Sequence, residues 1–305
     1  MHNQLAPLRL GIIGLSEGNG HPYSWSAIFN GYDPEAMAHC PFPVIPQYLA
    51  EQAWPDAALP DATVTHIWTQ DPALSRAVAD AARIPHIVAE MTDMLPEVDA
   101  VLLARDDPEN HLAMARPFLE AGRPIYIDKP VATEVATLDA LYAHEQWPGQ
   151  LFSCSAVGYA EEFKLSEADR AAIGEVRLIE ASIPKSWAKY GVHLIDPVLR
   201  LDAALVTEDL ARVENTGTGD INLVTVTWES GRQALFKVTG AVASPLKLTV
   251  YGTRGFRELT FRDTFKAFKG ALRDFVAGVR SKSVRSERAF LTRVVEIIEK
   301  GARHG

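Results

Sequence analysis

Cysteine is scarce, and no stretch of the chain is long and apolar enough to suggest a membrane span. Two cysteines, Cys40 and Cys154, in 305 residues make no disulfide framework, and a reducing, cytoplasmic setting suits them. Neither has a sequence neighbour that would activate its thiol. No window approaches the roughly 18 consecutive apolar residues of a membrane helix. Met1–Leu10 lacks the basic stretch followed by an apolar one that marks a secretory leader. Basic residues are outnumbered, 30 against 39 acidic ones, for a formal net charge of −9. That argues against nucleic acid as a partner, because phosphates need clustered cations. Repeats and low-complexity tracts are missing as well. The remaining composition is that of an ordinary globular protein, 47% hydrophobic and 23% charged, with length for one large domain or two average ones.

The periodicity divides the chain. Leu8–Leu15 is a short apolar run that predicts a buried strand, followed by glycines and a helix from about Ser24, which can cap it. Six prolines between Pro34 and Pro60 break any long helix there. The next strand-like run, Val64–Thr69, therefore comes late, and an insertion over about 34–62 with one short helix, Gln47–Ala53, is predicted. Strand and helix then alternate through 73–82, 86–89, 100–104, 109–121 and the strand before Asp128, with Gly122 stopping a helix. Such alternation implies parallel pairing with helices on both faces. Beyond Pro130 the pattern changes. A helix over 133–145 leads to strands at 151–157, 175–183, 221–228, 232–240, 246–251 and 257–261, with hairpin-sized gaps such as Glu229–Arg232. Two helices, about 264–279 and 286–300, close the chain. The predicted fold class is α/β: a doubly wound, Rossmann-type dinucleotide-binding domain over 1–130, then an α+β substrate and oligomerisation domain over 131–305 with a mostly antiparallel, open sheet.

Several strings carry chemistry. Gly11, Gly14, Gly18 and Gly20 lie where glycines let a backbone approach a pyrophosphate at a helix start. Counted from Gly14, the second and third positions of the dinucleotide fingerprint hold Ser16 and Asn19, so the motif is degenerate. An ordinary tight turn is the competing reading. The acid that grips an adenosine ribose belongs at the end of the second strand, where Thr69 and Asp71 stand; Asp71 could equally cap the next helix. Asn110 and His111 open a helix after a strand, able to contact a cofactor or to cap. Lys129, in Asp128-Lys129-Pro130, follows a strand end, where doubly wound sheets bind ligands, and its ammonium suits an alkoxide formed as hydride leaves. His193 and Asp196 are three apart and share a helix face. Histidine suits proton removal from an alcohol. No third ligand accompanies the pair, so no metal is expected.

In this order, Gly14, Pro108 with His111, Asp128-Lys129-Pro130, and Gly191, His193 and Asp196 resemble the Gfo/Idh/MocA family, the relatives of glucose–fructose oxidoreductase and inositol dehydrogenase. Ile173–Val176, Tyr251–Gly255 and the closing helices look like family segments too, so the resemblance spans nearly the whole chain. It implies an NAD(P)-dependent dehydrogenase or reductase acting on CH–OH groups of a sugar, polyol or nucleotide sugar. Lys129 and His193 would be catalytic. Lys189, Tyr190, Trp187 and Asp196 would bind substrate, and Gly14, Ser16, Gly18, Asn19, Gly20, Thr69, Asp71, Asn110, His111, Asp128 and Lys129 would hold NAD or NADP. An open antiparallel sheet with an apolar outer face commonly pairs with a copy of itself, so a homodimer or homotetramer is expected, in the cytoplasmic setting the cysteines suit.

This sequence departs from the family pattern in several places. Lys189 stands where the family has an aspartate, and could meet an anionic substrate group. Thr69 replaces the ribose carboxylate, which admits NADP. His21, Tyr23 and Trp25 crowd the place where phosphates should lie, as a modified loop or as packing. A catalytically weak ligand-binding descendant, or a cofactor-assisted C–O hydrolase or lyase, are the alternatives.

Overall fold

The computed structural model describes residues 6–302; half of Met1–Leu10, the stretch read above for a secretory leader, lies outside them. Strand β1 (Leu8–Ile13) buries its last four residues completely. A strand buried on both faces needs helices on both sides and hence parallel neighbours. Those neighbours are β2 (Ala62–Trp68) and β4 (Ala100–Leu103), both parallel to β1. With β3 (His86–Ile87), β5 (Ile125–Ile127) and β6 (Leu151–Phe152) they form a six-stranded sheet in the order β3-β2-β1-β4-β5-β6. The order reverses between β1 and β4, which is the switch point where such sheets bind ligands.

The first helices are α1 (His21–Asn30), α2 (Pro34–Met37), α3 (Val44–Ala50), α4 (Pro72–Ala82), α5 (Pro108–Glu120) and α6 (Val135–Tyr142). Helix α1 begins at His21, with proline in its first turn, and not at Ser24. Proline's fixed φ favours that start, and Ser24 is buried inside the helix, where Tyr48 donates to its hydroxyl. The insertion holds two helices, α2 and α3, rather than one over 47–53. Asp33 caps α2, and Pro46 is tolerated in the first turn of α3. The predicted strand 151–157 is shorter and belongs elsewhere. Only Leu151 and Phe152 pair, parallel to Ile125 and Tyr126, and Ala156–Tyr159 is a 3-10 turn. This pairing adds a sixth strand to the first sheet.

The remaining elements are α7 (Glu167–Ile173), β7 (Val176–Ile183), α8 (Trp187–Tyr190), α9 (Val192–Leu201), α10 (Ala204–Thr207), β8 (Leu210–Asn215), β9 (Asn222–Trp228), β10 (Gln233–Val238), β11 (Lys247–Gly252), β12 (Phe256–Thr260), α11 (Thr264–Ser281) and α12 (Arg288–Gly301). The second sheet runs β12-β11-β7-β10-β9-β8. It is antiparallel except for β7 with β10. Strand β8 escaped the sequence pattern because an edge strand reading Leu-Ala-Arg-Val-Glu-Asn alternates weakly. Along β9, Val224, Val226 and Trp228 are buried and the intervening residues half-exposed, the period-2 pattern of a sheet covered on one face. Its inner residues join Trp187, Leu194, Ile195, Val198 and Ile297 in one core.

Compactness divides the chain into two discontinuous units. The first gathers 1–128, 139–153 and 271–286; the second gathers 129–138, 154–270 and 287–305. Among the described residues no helix is long and apolar enough to cross a membrane.

Candidate active site

In the first unit the turn from β1 to α1 is tied down by side chains. Ser16 is buried, donates to Asp106 Oδ1 at 2.8 Å and accepts from the Asp106 amide at 3.0 Å. Asn19 donates to Asp128 Oδ2 at 2.8 Å, and its own carbonyl oxygen accepts the His21 amide at 2.7 Å. His21 Nδ1 lies 2.5 Å from the same Asp128 oxygen. Leu15 is held through its amide and carbonyl by Gln70 (3.2 and 2.7 Å), and Arg105 reaches both Leu15 and Gln70. Arg105 also forks onto Asp107. Burial raises the Asp107 pKa, but hydrogen bonds from Arg105 and Asn110 outweigh it and leave the carboxyl below its ordinary range.

A helix start normally offers orphan amides to an anion. Here His21's amide is taken by Asn19, Pro22 has none, and the amides of Tyr23 and Ser24 bond the Gly20 carbonyl at 3.1 and 3.3 Å. The amides of Ser16, Glu17, Gly18 and Gly20 keep no acceptor among the described residues. Gly18 has φ 77, and a Cβ there would meet nothing within 4 Å. Successive unsatisfied amides with open space beside them form an anion-binding nest. The turn therefore fits a dinucleotide's phosphates, with donors moved from the helix into the loop. Gly20 serves packing instead: a Cβ there would strike Phe42 and Ile45 of the insertion.

Other predicted cofactor residues are turned to structural work. Thr69 is buried, its hydroxyl donating to the Asp71 carbonyl at 2.6 Å and sharing a bond with Ser75. Asp71 caps α4 through Ala73 at 2.8 Å. His111 is fully buried with Nε2 2.8 Å from the Arg105 carbonyl, and Asn110 donates to Asp107 at 2.7 Å. Tyr23 and Trp25 are 3% and 1% exposed, so they belong to the core, where Trp25 stacks between His21 (4.9 Å) and Tyr126 (4.7 Å).

The second unit carries the other constellation. Lys129 is buried, and its Nζ lies 5.1 Å from the centroid of the Tyr190 ring. His193 lies with its ring 5.4 Å from that of Tyr190. Ser155 holds both members of the predicted helix face: its hydroxyl is 2.8 Å from His193 Nδ1 and its amide donates to Asp196 Oδ2 at 3.0 Å. Asp196 is 1% exposed, and its other oxygen accepts from Arg200 Nε at 2.6 Å. Burial opposes the Arg200 charge, but Asp196 outweighs it and raises the guanidinium's pKa. Asp196 is thus a support behind Ser155, not a surface for substrate. Trp187 is buried too, donating to the Ile298 carbonyl at 2.9 Å. Lys189 is half-buried on α8. Ser155, 38 residues from His193 in the chain, gave no sequence signal, and neither did Lys185, whose Nζ donates to the Tyr190 hydroxyl at 2.6 Å.

Residues 48–155 match the model of an oxidoreductase family with an NAD-binding Rossmann fold, GFO_IDH_MocA. The match begins past the glycine turn, where the loop departs from the fingerprint. A search of curated protein sequences finds no match. Solved structures match over nearly the full length. A probable dehydrogenase from Thermotoga maritima is 13% identical with a TM-score of 0.72, covering 96% of this chain and 94% of that one. Scyllo-inositol dehydrogenase from Lactobacillus casei, solved with NAD(H) and scyllo-inositol, is 12% identical with a TM-score of 0.71 and coverages of 96% and 95%. A UDP-N-acetylglucosamine 3-dehydrogenase from Acidithiobacillus ferrooxidans is 17% identical with a TM-score of 0.67 and 96% coverage of both. These likenesses establish the fold, and with the matched segment they bear out the resemblance read from the sequence.

Proposed function

We propose that this chain, whose residues 48–155 match the GFO_IDH_MocA model and whose fold is that of the dehydrogenase structures above, is an NAD(P)-dependent oxidoreductase acting on a hydroxyl of a sugar, polyol or nucleotide sugar. The observation that carries the reading is the grouping of the buried Lys129 with the half-buried Tyr190 and His193, His193 being held by Ser155. A bound nicotinamide supplies the hydride acceptor or donor. The loop amides of Ser16–Gly18 and Gly20 would hold its phosphates. Lys129 donates a hydrogen bond to the reacting oxygen and stabilises the negative charge that grows there as the hydroxyl proton leaves, before that oxygen's electron pair closes the C=O bond. His193 takes the hydroxyl proton; with Nδ1 engaged by Ser155, the exchange falls to Nε2. Reversal of these steps reduces the ketone.

The proposal extends to setting and assembly. Cys40 and Cys154 are both buried and outside any disulfide among the described residues, which suits a reducing cytoplasm. The outer face of the second sheet carries Leu178, Leu235, Tyr251 and the 58% exposed Phe256, which suits burial against a second copy in a homodimer or homotetramer.

The test is Lys129→Met, assayed with NAD and NADP over a panel of inositols, hexoses and UDP-sugars. Turnover by the unaltered chain should fall at least about hundredfold in the variant, with nicotinamide binding retained. Full turnover by the variant would remove Lys129 from the chemistry.

A further inference from the structure

Lys185 adopts φ 78, a left-handed backbone that a long side chain rarely takes and that glycine or asparagine takes more readily. The conformation is imposed. The Lys185 amide donates to the Gly240 carbonyl at 2.7 Å, and the Gly240 amide returns a bond to the Lys185 carbonyl at 3.0 Å. Gly240 is itself left-handed, and a Cβ there would collide with the Asp220 carboxylate, which accepts the next amide, Ala241, at 2.7 Å. A lysine held in an unfavourable backbone state points to a use for its side chain.

That side chain ends at Tyr190. Its Nζ lies 4.4 Å from the ring centroid and 2.6 Å from the hydroxyl. The bond to Tyr190 is its one polar side-chain contact among the described residues. An ammonium has three hydrogens and a phenol one. After Lys185 donates one hydrogen to the phenol oxygen, its other two and the phenol's own remain without an acceptor among the described residues. Two donor atoms 2.6 Å apart, one of them cationic, match two oxygens of a carboxylate or phosphate. Lys185 is exposed and Tyr190 half-exposed, so a ligand can reach them. The carboxylate of this constellation, Asp196, is spent on Arg200 and the Ser155 amide. Lys129 approaches the same Tyr190 ring, so the two ammonium groups share one aromatic neighbour.

We propose that Lys185 and Tyr190 form an oxyanion subsite, and that the sugar-like substrate carries an acidic group, carboxylate or phosphate, read by this pair. The proposal rests on the sugar-oxidoreductase reading above for the substrate's hydroxyl, while the subsite stands on its own geometry.

Calorimetric titration of the full chain with D-glucuronate, glucose 6-phosphate and glucose tests it. One acid should bind about tenfold or more tighter than glucose; whichever does identifies the acidic group. Lys185→Asn keeps a residue at ease in the left-handed conformation and removes the charge, and Tyr190→Phe removes one donor. Each should bring the acid down to glucose's level without moving the thermal midpoint by more than a degree or two. Acids binding no tighter than glucose, or a preference that survives Lys185→Asn, overturn the subsite. NADH titration in parallel separates the two readings. NADH binding without acid preference removes only the subsite. Acid preference without NADH binding supports the subsite and removes the oxidoreductase.

Discussion

Ser155 sets the register of His193, the proposed proton acceptor, from outside the helix that carries it. One residue touches both His193 and Asp196, and Arg200 stabilises Asp196 in turn. Ser155 therefore acts as a positioning residue, fixing the angle of the ring. Ser155→Ala should lower kcat about tenfold with KM changed less than about twofold, and should shift the pH–rate profile; a KM-only effect would place Ser155 in substrate binding. The spacing of His193 and Asp196 made their common face legible in the sequence. The direction of Asp196 was not legible, because the arginine one turn on reads as an ordinary surface charge until burial shows that the carboxylate needs it. Lys129 was legible from its place after a strand. Lys185 was hidden, since only its backbone angle sets it apart from other lysines.

At the scale of elements, the turn between β1 and α1 decides how a dinucleotide is held. Asn19 supplies a carbonyl oxygen to the first helix amide, doing internally what a phosphate does in a glycine-rich fingerprint. Asn19→Gly frees that amide and should tighten NADH binding by roughly threefold to tenfold. It also breaks the tie to Asp128, so the thermal midpoint should fall in the same variant. Unchanged or weaker affinity would show that the helix start takes no part. The degenerate motif was visible in the sequence, but the replacement of each missing glycine by a side-chain tie was not, since Asp106 and Asp128 arrive from other strands.

A second element-scale prediction concerns acid. Glu208, after α10, is held at about 2 by Ser230 and, behind it, Arg232. Asp169 in α7 is held at about 2 by Ser166 and then Arg257. Both lie below their unfolded values near 4, so the folded state prefers them ionised. The stability they lend is complete above about pH 4.5 and disappears as the pH falls through their folded values. The urea midpoint should decline from pH 5 toward pH 2.5; a constant midpoint across that window would contradict these assignments.

For the whole molecule, two sheets of opposite character follow from two periodicities. Continuous apolar runs such as Leu10–Ile13 and Ala100–Leu103 force two-sided cover, whereas the alternation in β9 and β10 forces one-sided cover. Both were readable before any coordinates. The sixth parallel strand was not, because two paired residues, Leu151 and Phe152, leave too short a trace and the apolar residues after them continue it falsely. The parallel contact of β7 with β10 was equally hidden, since non-adjacent strands carry no turn signal. The uncovered face predicts association. Leu235→Lys, placed opposite Thr225 and Glu180 on that face, should shift sedimentation toward the monomer while leaving the far-UV spectrum intact. An unaltered sedimentation profile would exclude this face as the interface.

The central claim is that this chain holds a nicotinamide dinucleotide for hydride transfer. Titration of the purified protein with NADH and with NADPH, followed by nicotinamide fluorescence, tests it most directly. The account predicts saturable binding of at least one; with Thr69 buried and no carboxylate of the second strand free to reject a 2′-phosphate, NADPH should bind within about tenfold of NADH. A folded protein that binds neither would contradict the account and leave a ligand-binding descendant of the fold in its place.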